Sequence, residues 1–363
     1  MKILYDYKIF YQQKFGGISS YFYNLTNEFC KTDNRFLFYS PIHKNYYFKN
    51  IKKKNRIGNY LKFLPSAGIK LYETINHTLT DKIIENYKPD VIHETYYSLR
   101  KYKTKAKIIC TVYDMINEVY PNFFKNHKQI SSIKRETINR ADKVICISNK
   151  TKEDLINYFS INENKIQVIY LASGFKNEKS TINLKKKYPN HLLFVGSRHG
   201  YKNYNNLISA YSKSKNLKEN FKIIFFGGEK VSKLDYQVIK KNKLDSQNIL
   251  FLNDKQTNLP FLYSNVAALV YPSFYEGFGL PIIEAMSFSC PVISSNGGAL
   301  QEIGGNGIEY FNPHDIDDIS FKLDKILSSG EILNNQIKYG LNRSQKFSWE
   351  KCASETIQFY KDV

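Results

Sequence analysis

Glu276 and Glu284 bracket the run Gly277-Phe278-Gly279-Leu280-Pro281-Ile282-Ile283, in which glycines bare the backbone N–H groups. Pro281 suits the first position of a helix, and Tyr271-Pro272 reads as the end of a strand. This places Glu284 in the first helical turn and Glu276 in the loop before it. Two carboxylates then flank one anion-binding stretch of backbone. Carboxylates accept hydrogen bonds from hydroxyls and amides at a helix start face phosphates, so the arrangement suits a sugar nucleotide. The plainer reading has Glu284 complementing the helix dipole and Glu276 simply exposed.

Two other turns carry related chemistry. Gly196-Ser197-Arg198-His199-Gly200-Tyr201-Lys202-Asn203 sits between an apolar run and a helical pattern. Arg198 and Lys202 there offer fixed cations that neutralise a departing diphosphate without a metal, or else form a solvated basic loop. Gly16 and Gly17 precede a helix with apolar residues at Ile18, Tyr21, Phe22, Leu25 and Phe29, and let backbone approach a phosphate, or else serve only as a turn. Asp315-Ile316-Asp317-Asp318 has the Asp-x-Asp spelling of a divalent-metal site but follows Asn312-Pro313-His314 and opens a helix, so capping is expected and no metal is assigned.

These turns need a scaffold, and the rest of the chain supplies its pattern. Short β-branched and aromatic runs alternate with segments of helical period, which points to parallel sheets covered by helices. Strands are expected at Lys2–Tyr7, Phe36–Ser40, Val91–His93, Lys107–Tyr113, Val144–Ser148 and Gln167–Tyr170. After a polar stretch over 171–190, they resume at Leu192–Val195, Lys222–Phe226, Ile249–Leu252, Ala268–Tyr271, Val292–Ser294 and Ile308–Phe311. At 363 residues, two cores are expected: a domain over 1–175, a second over 190–345, and a helical segment over 346–363 that packs back toward the first.

Composition narrows the setting. Five scattered cysteines fit neither a disulfide framework nor a zinc site, and no run is long and apolar enough for a signal peptide or a membrane span, so a cytoplasmic, soluble or peripheral protein is expected. The formal charge of +20 has two readings: codon usage that favours Lys and Asn, or an acidic partner. Between Tyr46 and Leu64, Lys49, Lys52, Lys53, Lys54 and Arg56 alternate with Tyr46, Tyr47, Phe48, Tyr60 and Phe63, a composition that can rest on an anionic membrane or form a solvated loop. Nucleic-acid binding is not expected, because the basic residues spread along the whole chain without a recognised motif. Neither strand array carries the G-x-G-x-x-G fingerprint of a nicotinamide dehydrogenase.

The Glu276–Glu284 spacing resembles the E-x7-E element of glycosyltransferase family 4, and Pro-Ser-Phe-Tyr-Glu-Gly-Phe-Gly-Leu-Pro is close to that family's wording. Gly16-Gly17-Ile18, Asp90 to Tyr97, Ala141 to Ser148, Tyr201-Lys202-Asn203 and Gly297-Gly298 with Glu302 extend the resemblance along nearly the whole chain. Within the family it looks most like mannosyltransferase-type enzymes of bacterial surface-polysaccharide (O-antigen and capsule) assembly. The resemblance implies the GT-B fold, two facing Rossmann-like domains with parallel sheets and an interdomain cleft, acting as a retaining hexosyltransferase that needs no metal or other cofactor.

By the same resemblance Glu284 takes the ribose hydroxyls, Glu276 lies near the transferred sugar, Arg198 and Lys202 hold the diphosphate, and the amides of Phe278, Gly279 and Leu280 contact phosphate or sugar. The chain departs from the family twice. Tyr201 stands where many members carry Arg, and Tyr113 stands where many carry a rim histidine, which leaves Asp114 and His93 as the other polar candidates on that rim. A front-face displacement is implied, in which the leaving diphosphate helps to deprotonate the acceptor. The donor expected first is GDP-mannose, with a UDP- or dTDP-sugar as alternative, and the acceptor is a growing, lipid-linked glycan. Two other classes stay open at this point: a nucleotide-sugar epimerase on the same fold and a basic nucleic-acid-binding protein.

Overall fold

Along Val266–Tyr271 every residue but one is buried, and from Ala268 onward neighbouring side chains enter opposite cores, as a strand covered by helices on both faces requires. The computed structural model describes residues 1–63, 68–175, 186–252 and 258–363. It divides into two units: Met1–Gly174 with Trp349–Val363, and Phe175–Ser348.

Among the described residues the first unit contains β1 (Lys2–Tyr5), β2 (Arg35–His43), β3 (Arg56–Tyr60), β4 (Val91–Glu94), β5 (Lys107–Val112), β6 (Lys143–Cys146) and β7 (Ile166–Val168). Their order is β3-β2-β1-β4-β5-β6-β7, all parallel. The second contains β8 (Tyr188–Val195), β9 (Lys222–Phe226), β10 (Ile249–Leu252), β11 (Val266–Tyr271), β12 (Val292–Ser295) and β13 (Glu309–Phe311), ordered β10-β9-β8-β11-β12-β13 and again parallel. Both sheets are therefore doubly wound, with their order reversing between β1 and β4 and between β8 and β11. Open α/β sheets hold ligands beyond the carboxyl ends of strands at these points.

The alternation of side chains builds the cores. In the second unit Leu192, Phe194, Ile223, Phe225 and Val270 face one helical layer, while Leu193, Ile224, Leu269 and Tyr271 face the other. In the first unit an aromatic core centres on Tyr5, stacked on Phe38 at 4.2 Å and edge-on to Phe22 at 5.6 Å.

The helix Trp349–Lys361 closes this core. Cys352, Ala353, Thr356, Phe359 and Tyr360 are buried. The Tyr360 hydroxyl lies 2.9 Å from that of Tyr5 and 2.5 Å from His93 Nδ1. Trp349 Nε1 donates to the Ser173 carbonyl at 2.7 Å.

One strand departs from the sequence expectation. β3 lies inside the basic Tyr46–Leu64 stretch, whose last residue, Leu64, falls outside the described residues. It pairs closely enough with β2 that a side chain at Gly58 would collide with the Ser40 carbonyl oxygen.

Candidate active site

β8 delivers the Gly196–Asn203 turn and β11 delivers the Pro272–Gly279 loop, so the residues singled out for donor chemistry gather at the second sheet's switch point. The two segments are tied together directly. Phe274 donates its backbone N–H to the Tyr201 carbonyl at 2.8 Å. Asn203, buried and left-handed at φ 60°, donates its side-chain amide to the carbonyls of Pro272 at 3.0 Å and Pro313 at 2.8 Å.

On this frame Lys202 Nζ donates to Glu276 Oε1 at 2.6 Å and to the Tyr271 hydroxyl at 2.9 Å. It also lies over the rings of Tyr201 and Tyr271, at 5.2 and 5.1 Å. The aromatic faces and the carboxylate hold the ammonium in one place, as a fixed charge requires.

The Glu276 loop is pressed into place from behind. Gly298 has φ 62°, and a side chain there would meet the Glu276 carbonyl oxygen at 2.3 Å. Ala299 donates its N–H to that same oxygen at 2.9 Å. The Gly297-Gly298 pair thus permits a backbone approach that no larger residue allows.

Glu284 departs from its expected place. The helix is Leu280–Ser287, with Gly279 left-handed at φ 98° before it. Pro281 is thus its second residue, and Glu284 lies past the first turn, buried. Its Oε2 accepts from the Tyr263 hydroxyl at 3.0 Å. Burial pushes the carboxyl up to about 7, partly opposed by the Tyr263 hydrogen bond. Phe278, Gly279 and Leu280 form the approach to this helix, where first-turn amides lack intrahelical acceptors. The Tyr271 hydroxyl is raised well above its ordinary range by burial first and then by Glu276, with Glu284 adding to the effect, so Tyr271 lies within the field of both carboxylates.

Arg198 is not a cation facing this point. Its Nε donates to Asp235 Oδ1 at 3.1 Å, Nη1 to the Gly227 carbonyl at 3.1 Å and Nη2 to the Glu229 carbonyl at 2.5 Å. The guanidinium is buried over the Phe251 ring. It braces the turn from beneath because acceptors in the loop after β9 and on the helix Lys233–Lys241 engage all three of its nitrogens, which leaves Lys202 as the cation of this turn beside Glu276.

In the first unit the rim candidates are dispersed. His93 is in the interior, its Nε2 2.8 Å from Thr111 Oγ1 and its Nδ1 on Tyr360. Burial drives its pKa down to about 3, so it is neutral and structural rather than a rim residue. Tyr113 is buried too, donating to the Thr95 carbonyl at 3.2 Å. Asp114 follows β5 in a partly exposed loop, where Oδ1 accepts from Ile116 N–H at 3.1 Å and its carbonyl from Lys134 Nζ at 3.0 Å. Gly17 opens the helix Gly17–Phe29, and none of the described residues lies within 4 Å of where a side chain would project; Gly16 precedes it in extended conformation.

Asp315 accepts hydrogen bonds from the N–H groups of Asp317 and Asp318 and so caps the helix Ile316–Leu327. Sequence reasoning gave no role to Tyr271, Tyr263 or Asn203. A tyrosine ending the β11 run, directly before the glycine-rich loop, was the available signal for the first.

Two doubly wound sheets in one chain, with a caged lysine and two glutamates at the second switch point, define a glycosyltransferase of GT-B architecture. The chain belongs to glycosyltransferase family 4: residues 15–172 match the model described as Glycosyltransferase Family 4, and residues 175–343 the model of Glycosyl transferases group 1. It is 30% identical over 366 residues to an uncharacterized glycosyltransferase of Methanocaldococcus jannaschii, covering 97% of this chain and 96% of that one. It is 26% identical over 330 residues to O-antigen chain mannosyltransferase B of Escherichia coli, covering 86% and 85%. The fold is shared with Anabaena HepE, solved in complex with UDP-glucose, at a TM-score of 0.77 and 15% identity over the whole of both chains.

Proposed function

We propose that this enzyme is a retaining hexosyltransferase that moves mannose from GDP-mannose to a growing, lipid-linked surface glycan. The observation that carries the reading is the Lys202–Glu276–Tyr271 cluster set beside Glu284 at the β8/β11 switch point. Similarity to an O-antigen chain mannosyltransferase supports the sugar and the acceptor class.

In this reading Glu284 receives the ribose hydroxyls and the amides of Phe278, Gly279 and Leu280 face phosphate or sugar. Lys202 exchanges part of its bond to Glu276 for the diphosphate and stabilises its developing charge during transfer. Glu276, released in turn, orients the hexose. In the first unit Gly16 and Gly17 are the candidates for a phosphate contact and Asp114 for an acceptor contact. No metal is required, and activity is expected to be unchanged by EDTA. The basic stretch from Tyr46 to Phe63 rests on the anionic inner face of the cytoplasmic membrane. Its support is that Ile57, Leu61 and Phe63 are exposed among its lysines.

Calorimetry against GDP-mannose, UDP-glucose and a dTDP-hexose tests the donor. GDP-mannose is expected to bind tightest, a preference for UDP- or dTDP-sugar would replace it, and binding of none would overturn the reading. NMR of the product tests stereochemistry, since an inverted anomeric centre is incompatible with retention.

A further inference from the structure

The switch point of the first sheet opens on a groove that donor chemistry does not use. Tyr7 and Lys8 follow β1, while Tyr96 to Arg100 follow β4. Against the helix Ile69–Tyr87 they enclose two cavities of about 530 and 490 Å3, which share Lys8, Glu73, Ser98 and Leu99 in their walls. The two differ in character. One is lined by Lys8, Lys70, His77 and Arg100, the other by Tyr96, Tyr97, Ile130 and Ile133.

The charged half has donors to spare. Glu73 pairs with Lys8, and Asp81 accepts from Arg100 Nη2 at 2.7 Å. That leaves, among the described residues, the exposed Lys70 ammonium without a carboxylate, and the buried Arg100 Nε and Nη1 without a well-formed hydrogen bond beyond the neighbouring Tyr7 hydroxyl. The Tyr102 ring covers the guanidinium at 4.8 Å from its centroid, but a ring face does not accept from those in-plane N–H groups. A buried guanidinium with poorly met N–H groups is destabilising, and an arriving anion relieves it.

The aromatic half offers a complementary surface. Tyr96 and Tyr97 stand 4.7 Å apart between ring centroids, and Leu99 at the lip is 62% exposed. Such a surface takes the apolar face of a sugar ring, while the hydroxyls reach Ser98 and Glu73.

We propose that this groove binds an anionic saccharide unit of the acceptor, with its carboxylate or phosphate against Lys8, Lys70 and Arg100 and its ring against Tyr96. The assignment rests on the transferase reading for its role as acceptor, and it adds the acceptor's chemical class.

Ligand-observed NMR titrations of the full chain test it with mannose 6-phosphate, glucuronic acid, mannose and inorganic phosphate. At least one anionic sugar is expected to bind about fivefold or more tighter than mannose, with the preference fading at high salt. The surface change Lys70→Glu is expected to abolish the preference without moving the thermal midpoint, whereas Lys202→Ala is expected to retain it. Equal binding of mannose, equal binding of inorganic phosphate, indifference to Lys70→Glu or loss in Lys202→Ala would each overturn the proposal. A parallel nucleotide-sugar titration separates the two readings. A chain that binds nucleotide-sugar but no anionic saccharide keeps the transferase mechanism and loses this groove; the opposite pattern loses the mechanism and keeps an anionic-saccharide site.

Discussion

The two sheets share one winding but spend their strand-end polar residues differently. At the end of β11 and the turn after β8, Lys202, Tyr271 and Glu276 converge on one partly accessible point. In the first unit the corresponding polar residues turn inward: His93 joins Thr111 and Tyr360, and Tyr113 binds the Thr95 carbonyl. Conformity to a fold therefore does not make a strand-end residue functional. What matters is whether its partners are neighbouring loops, which a ligand can replace, or core side chains, which it cannot.

This contrast can be broken by substitution. The largest effect is expected from Lys202→Ala, which should lower turnover roughly 10²-fold or more with little change in unfolding temperature, since it removes one preorganised charge stabiliser. Turnover within a few-fold of the parent would remove Lys202 from the mechanism.

Next is Glu284→Ala, for which calorimetry should show nucleotide-sugar affinity reduced by about 10- to 100-fold, the range of hydrogen bonds to a charged acceptor. The raised carboxyl also sets a pH dependence. Bound hydroxyls favour the carboxylate, so donor affinity should rise with pH through about 7 and level off above it, and Glu284→Gln should flatten that profile. In the donor-free protein the sign is opposite. The folded carboxyl holds its proton more tightly than the unfolded one, so its contribution to stability is lost as pH rises from about 4.5 to about 7.

The first unit should respond in stability instead. Tyr360→Phe should cost about 1–2 kcal/mol by denaturant unfolding, because it removes a buried hydroxyl from His93 and Tyr5, while turnover per folded molecule stays the same. A lowered turnover with unchanged stability would place this residue in function and erase the contrast. The smallest effect belongs to Asp315→Ala, a lost helix cap worth about 1 kcal/mol with activity unaltered.

The sequence made both strand arrays legible because a strand buried on two faces announces itself as a short apolar run. β3 escaped because its five residues read half-exposed and exposed by turns, with a glycine in the middle and lysines before it. At the site, Glu276, Glu284 and Lys202 were readable because local spacing encodes which loop carries them. Arg198 was not, since its fate depends on Asp235, thirty-seven residues away, and on carbonyls that no residue type reveals. His93 was misplaced for a similar reason. It sits near the end of an apolar strand, where a rim residue and a core residue look alike until the helix that covers it is known. Glu284 was displaced by one residue, just past the first turn, because proline tolerates the second helical position as well as the first.

The helix Trp349–Lys361 belongs to the first unit yet is synthesised after all of the second. At roughly 5–20 residues per second, a ribosome takes roughly 10–40 s to travel from β7 to Tyr360. Through that interval Tyr5, Phe29 and His93 lack their final lid, and before it ends the intervening segment has everything its own sheet needs. Maturation therefore runs against the order of translation, and the half of the enzyme begun first is the half finished last.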